Sequence, residues 1–412
     1  MLDYLKKYYR DPLYRNSIAM MLNSVFAALF GLLFWIVAAR TMSSKDIGLA
    51  TAAISAAGVI VAFSRLGLDQ GLVRYLPELK EKRGFYSTIV ILTLALSLII
   101  AGIFLIGINI FSPALSFIRE GWFLPVFLAY IVITSIFSMQ NMALIAIRRA
   151  DLALIQNLLL GARILLLIFL TSLGVFGIFS AFGAAFLLTS IFGTLILQKN
   201  GLSITGSFDI ASIRKTLKFS MGNYLAGIFL MAPLTIIPIM IVNTIGAEEG
   251  AYFYVAYSVA ALLFMIPNAV STSLFVEGSH SLPLKENVLK SIKMILMLLV
   301  PALIFIFLFG NKLLLLFSRE YSVQAYEMLQ LLSISSIFSA VISIFISIKK
   351  IQQEVRIINY LNFALSVLII GFGYIALFKY GLVGLGYAWL GANAVVCAMI
   401  IGVMGKSFTI KK

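Results

Sequence analysis

The chain has 412 residues, 62% of them hydrophobic and 11% charged, with a mean hydropathy of +1.06. No soluble globular class has that profile, so this is the sequence of a polytopic membrane protein. Its net charge of +15 would point to nucleic acid in a soluble protein. Here the basic residues lie between apolar runs, so membrane orientation explains them and no nucleic-acid partner is expected. A single cysteine, Cys397, excludes an intramolecular disulfide and a cysteine-based metal cluster. A single histidine, His280, excludes a multi-histidine metal site, and no cofactor is expected.

In chain order, residues 1–15 (MLDYLKKYYRDPLYR) mix Tyr and Leu with Lys6, Lys7, Arg10 and Arg15 and read as an interfacial segment on an anionic leaflet. The first apolar run, 17–39, is longer than the ~7–15 residues of a signal-peptide core and reads as an uncleaved span. Spans follow at about 47–70, 85–109, 123–147, 152–173 and 177–197, then at 219–242, 250–276, 291–310, 324–347, 355–378 and 382–405. Each approaches the ~20 residues that cross ~30 Å of hydrocarbon. The expected fold is therefore an all-α membrane protein of twelve helices. Its expected parts are an N-terminal six-helix lobe (1–200), a cytoplasmic linker (201–218) and a C-terminal six-helix lobe (219–412).

Charge sets the orientation. With the N-terminus inside, 23 of the 31 Lys and Arg residues fall on the cytoplasmic side and 6 on the outer side. This bias places both termini in the cytoplasm. A cysteine introduced at Ser207 should then resist an outside-only thiol reagent in intact cells; labelling there would reverse the orientation.

The two sets of six spans also read as copies. Residues 39–55 align with 242–258 across one gap, pairing Thr41 with Thr244 and Asp46 with Glu249 at an offset of 203. Residues 174–182 (GVFGIFSAF) align with 381–389 (GLVGLGYAW) at 207, and Arg148-Arg149 with Lys349-Lys350 at 201. Six is even, so the copies share one orientation and are expected to be parallel repeats around a central cavity.

Charges within or beside spans are the functional candidates, because a charge near hydrocarbon must be paired or face a cavity. The stretch 64–79 (SRLGLDQGLVRYLPEL) carries Arg65, Asp69 and Arg74, with Arg65 and Asp69 at helical i, i+4 spacing. Its functional reading is the cytoplasmic mouth of a polar cavity; its plainer reading is an ion pair that locks a helix end. Gly67 and Gly71 form a small-xxx-small pattern that admits a neighbouring backbone. Arg163 lies eleven residues past Leu152, about 17 Å along a helix and too deep to snorkel easily. Its two readings are a head-group anchor and a structural arginine bonded to carbonyls.

No acid falls near the middle of any span, whereas a cation or proton antiporter generally needs one. Arg163, with Arg65, Arg74 and Arg148, instead suits an anionic head group such as pyrophosphate, which guanidinium binds with two parallel hydrogen bonds. Asn23, Gln140, Asn141, Asn157, Asn223 and Asn268 are polar candidates for sugar hydroxyls, although hydrogen bonds between helices are the commoner use of such amides. No Walker motif and no nucleophile–base or paired-carboxylate constellation is present, so no enzyme is expected.

The pattern of twelve spans with LGLDQGLVRYLPEL closing the second, and RTMSSKDIGLA following the first, resembles the polysaccharide-biosynthesis flippases of the multidrug/oligosaccharidyl-lipid/polysaccharide exporter superfamily. The nearest style is the O-antigen type of lipid-linked oligosaccharide flippase. The resemblance implies a cavity between two lobes, lined by cationic residues and alternating in access, and a plasma-membrane location. It implies a polyprenyl-(pyro)phosphate-linked saccharide as substrate, with membrane lipids and a glycan polymerase or glycosyltransferases as partners. A cation-coupled drug or metabolite antiporter of the same superfamily is the alternative.

Overall fold

The computed structural model describes residues 12–79, 81–206, 210–278 and 284–409; its described side chains exclude 12–21, 210–215, 218–219, 222–223, 276 and 403–409. The readings placed on residues 1–11, Ser207, His280 and the Asn223 side chain lie outside these. All described elements are helical. In lipid, where no water meets a bare N–H or C=O, a helix satisfies its own backbone. Among the described residues, ten helical stretches are long and apolar enough to cross a membrane.

The chain divides into two compact units, Met1–Ile228 and Phe229–Lys412. Unit 1 contains α1 (Pro12–Thr41), α2 (Ser44–Ser64), α3 (Leu68–Tyr75), α4 (Lys82–Ile106), α5 (Phe123–Ala146), α6 (Ala150–Leu159), α7 (Ala162–Leu170), α8 (Gly174–Lys199) and the first part of α9 (Ile210–Thr244). Unit 2 continues α9 and adds α10 (Ala247–Gly278), α11 (Leu284–Leu314), α12 (Arg319–Gln324), α13 (Tyr326–Ile351) and α14 (Val355–Thr409). The division at Ile228 falls inside a helix rather than in a loop.

Two of the ten stretches are 50 and 48 residues long, more than twice the length that a crossing needs. Each contains one glycine in the same unusual conformation: Gly174 at φ 57°, ψ −133° and Gly381 at φ 61°, ψ −150°. Side chains are strained there, so only glycine turns the chain at this point without cost.

Other details of the two units match at offsets of 203 and 205, close to the 207 that separates these glycines. Thr41 Oγ1 donates to Val37 O at 2.7 Å, and Thr244 Oγ1 to Met240 O, 203 residues on. The turn after α5 is closed by Arg148 N to Ile145 O (3.0 Å) and Arg149 N to Leu144 O (2.8 Å). After α13 the same bonds recur 205 residues on, from Gln353 N to Lys350 O (3.0 Å) and Glu354 N to Lys349 O (2.9 Å). Arg148 and Gln353 share a left-handed backbone, with φ 59° and 58°. This corrects the sequence alignment of Arg148-Arg149 with Lys349-Lys350. The turn sets Arg148 opposite Gln353, and the lysine pair occupies the last helical turn before it.

A second correction concerns the stretch that joins Arg65 to Asp69. It is not one helix: α2 ends at Ser64, and Leu66 (φ 47°) and Gly67 (φ 75°) reverse the chain into α3. On α3, Leu68 and Leu72 are fully buried, and Leu76 just beyond it is too. They share a core with Phe85 and Ile89 of α4 and Met139 and Ala143 of α5, which anchors this short helix. A Cβ on Gly67 would lie 2.9 Å from the Cβ atoms of Ser220 and Tyr224, and one on Gly71 would overlap Thr216. The two glycines therefore admit the start of α9.

Candidate functional site

Arg65 sits at the break between α2 and α3. Its guanidinium approaches Asp69 at 3.9 Å, and its Nη2 donates to Ser138 Oγ of α5 at 3.0 Å. The carbonyl of Phe63, left over where α2 stops, accepts a hydrogen bond from the Tyr224 hydroxyl of α9 at 2.9 Å. At neutral pH a guanidinium keeps its proton. The Nε of Arg65 is buried with no hydrogen-bond partner among the described residues. The result is a cation held by a carboxylate, a serine and a tight backbone turn, with a side chain still 30% exposed.

The other sequence candidates have separate surroundings. Arg74 pairs with Glu78 at 3.5 Å on a largely exposed surface, and Arg148 is exposed at the turn after α5. Gln140 is fully buried: its Nε2 donates to Ser190 O and Thr194 Oγ1, and its Oε1 accepts from Gln156 Nε2 at 3.0 Å. Asn141 reaches Gln156 Oε1 at 3.5 Å, and Asn157 is half-buried beside it on α6. These amides tie α5, α6 and α8 together. Asn23 on α1 is half-buried, and its Oδ1 has no partner among the described residues.

Arg163 is half-buried, with its guanidinium carbon 4.7 Å from the ring centre of Phe182 and 5.5 Å from that of Phe34. Stacking of this kind contributes roughly 0.5–2 kcal/mol. The expected span 152–173 is not continuous here. Bonds from Gly161 N to Leu158 O and from Arg163 N to Leu160 O tighten the chain between α6 and α7. The ring of Phe30 packs against Gly161, where a Cβ would come within 3.2 Å of it.

Ser138 was not among the sequence candidates, because one serine in an apolar span is unremarkable by itself. Its signal lay in spacing: Ser138 and Ser343 are 205 apart, the offset of the matching turns.

The chain matches the model of the polysaccharide biosynthesis protein family over residues 13–275. It belongs to that family. A "Putative O-antigen transporter" of Shigella flexneri is 24% identical over 206 residues, covering 48% of this chain and 49% of that protein. The chain thus spans about half the length of the curated relative that it matches.

Among solved structures, the lipid II flippase MurJ in an inward-closed conformation has a TM-score of 0.73 at 16% identity, covering 96% of this chain and 88% of that one. A multidrug resistance MATE family transporter of the MOP superfamily, inward-facing, has 0.68 at 19%, covering 94% and 96%. A MOP superfamily transporter from Pyrococcus furiosus has 0.60 at 18%, covering 97% and 96%. At these identities the likeness is one of fold.

Proposed function

We propose that this chain is a flippase that moves a polyprenyl-(pyro)phosphate-linked saccharide from the cytoplasmic to the outer leaflet of the plasma membrane for cell-surface polysaccharide synthesis. The observation that carries this reading is the family match over residues 13–275, joined to a fold shared with a lipid II flippase. The relative with an O-antigen transporter's name supports a lipid-linked saccharide as cargo. The drug or metabolite antiporter reading draws on the MATE neighbours of the same fold. It is the weaker one, because the Asp69 carboxylate beside Arg65 is committed to an ion pair.

In this proposal the chain crosses the membrane twelve times, each of the two longest helical stretches counting twice at Gly174 and Gly381. The halves are parallel repeats, and both termini are cytoplasmic. Arg65 and Arg163 bind the phosphate, and Arg74 and Arg148 draw it in. A glycan polymerase or glycosyltransferases supply or receive the saccharide.

The test is deletion of the gene in its own cell, followed by complementation. Wild type restores cell-surface glycan and clears the polyprenyl-linked saccharide that builds up inside. Arg163→Ala should cut export at least tenfold at normal abundance, with Arg163→Lys in between, because lysine keeps the charge but loses the planar, two-pronged contact. Full export by the alanine protein would end the anchoring role. Low export with low abundance would assign the residue to packing on Phe34 and Phe182.

A further inference from the structure

The contact that holds Arg65 has a counterpart in unit 2. Advancing Arg65 by the 203 residues that relate Thr41 to Thr244 reaches Asn268. Advancing Ser138 by the 205 residues that relate the two turns reaches Ser343. These residues meet as their counterparts do: Ser343 Oγ donates to Asn268 Oδ1 at 3.3 Å, where Arg65 Nη2 donates to Ser138 Oγ at 3.0 Å. Asp69 likewise advances to Thr272, whose hydroxyl donates to the Asn268 carbonyl at 2.8 Å. The place is the same, but a cation and a carboxylate have become an amide and a hydroxyl.

Asn268 and Thr272 are both exposed and lie one helical turn apart on an apolar span. The Thr272 hydroxyl is satisfied by its own helix, but an amide with an open donor is costly against lipid and suits a polar surrounding. The Asn268 Oδ1 is taken by Ser343, while its Nδ2 has no partner among the described residues. An amide donor beside hydroxyl acceptors, with no formal charge, complements a neutral hydroxyl or acetamido group. Without a formal charge it lacks the charge-assisted hydrogen bonds by which a guanidinium holds phosphate.

We propose that Asn268, Thr272 and Ser343 form a neutral saccharide subsite in unit 2, the uncharged counterpart of the cationic Arg65 position in unit 1. The inference rests on the flippase reading and adds to it a place within unit 2 that recognises the sugar of the cargo.

The test uses purified full-length protein in nanodiscs and two probes. One is undecaprenyl pyrophosphate; the other is the saccharide-linked polyprenyl lipid extracted from the deletion strain. Asn268→Ala should bind the saccharide lipid about tenfold more weakly and the bare lipid within twofold of wild type. Asn268→Thr stays uncharged and keeps a side-chain oxygen toward Ser343 but removes the amino donor. It should show the same selective loss, and it serves if the alanine protein does not fold. Equal weakening toward both lipids, or no weakening toward the saccharide lipid, would overturn the subsite. Wild-type protein that binds neither lipid would overturn the flippase reading instead.

Discussion

Gly177→Ala is expected to destabilise the protein more than alanine at Gly371 or Gly391. At Gly177 an added Cβ would overlap the carbonyl oxygen of Leu170 and lie 3.0 Å from its carbon. The obstacle is backbone at the end of α7, which cannot step aside as a side-chain tip can. The equivalent glycine 207 residues on, Gly384, has the same neighbour type: Ala376 O at 2.6 Å, with Tyr380 Cβ at 2.7 Å. Overpacking of this kind costs roughly 1–3 kcal/mol and occasionally more. Gly371 and Gly391 have nothing within 4 Å of an added Cβ. Alanine there should be neutral or stabilising by about 0.5–1 kcal/mol, since it stiffens a helix without a clash. Thermal unfolding of the four purified variants in one detergent checks the ranking. Wild-type stability for both Gly177→Ala and Gly384→Ala would show that the hairpins after α7 and within α14 are not close-packed.

Arg65→Ala should abolish export of surface glycan, by tenfold or more, and also lower stability. The second effect arises because Asp69, at 16% side-chain exposure, is left with no cation beside it. Asp69→Asn in the same chain removes that stranded charge. The double variant should therefore regain abundance and thermal stability while export stays low. This separation distinguishes a guanidinium needed for an anionic cargo from one that only locks the turn after α2. Arg65→Lys should export at an intermediate rate, because an ammonium keeps the charge but not the fork that reaches Ser138 and Asp69 together. Recovery of export by the double variant would assign Arg65 to the turn alone.

Much of the fold was legible in the residue order. Hydropathy adds up locally, so apolar runs of about 20 residues announce themselves without knowledge of any neighbour. The expected repeat also left local marks at Gly174 and Gly381, where a turn demands a residue without a side chain. It was misread at the basic pairs, because Lys and Arg near a membrane face are interchangeable along the chain. The turn that fixes their register is visible only in its hydrogen bonds.

The candidate site was legible only in part. The sequence picked out Arg65 and Asp69 by the energy of a charge near hydrocarbon, and Gln140 as a polar amide within an apolar span. It had no means to tell a residue beside a turn from one sealed between helices. Gln140 is enclosed because Gln156, Ser190 and Thr194 come to it from α6 and α8.

The sequence by itself determined that this protein lives in a membrane and where its apolar runs lie. Only the tertiary structure decided that α2 stops at Ser64. That end depends on a carbonyl at Phe63 satisfied by Tyr224, 161 residues away, and on Thr216 and Ser220 fitting against Gly67 and Gly71. A helix end is set by whichever group takes up its last carbonyls, and in a membrane that group must be another part of the protein, since water is absent there.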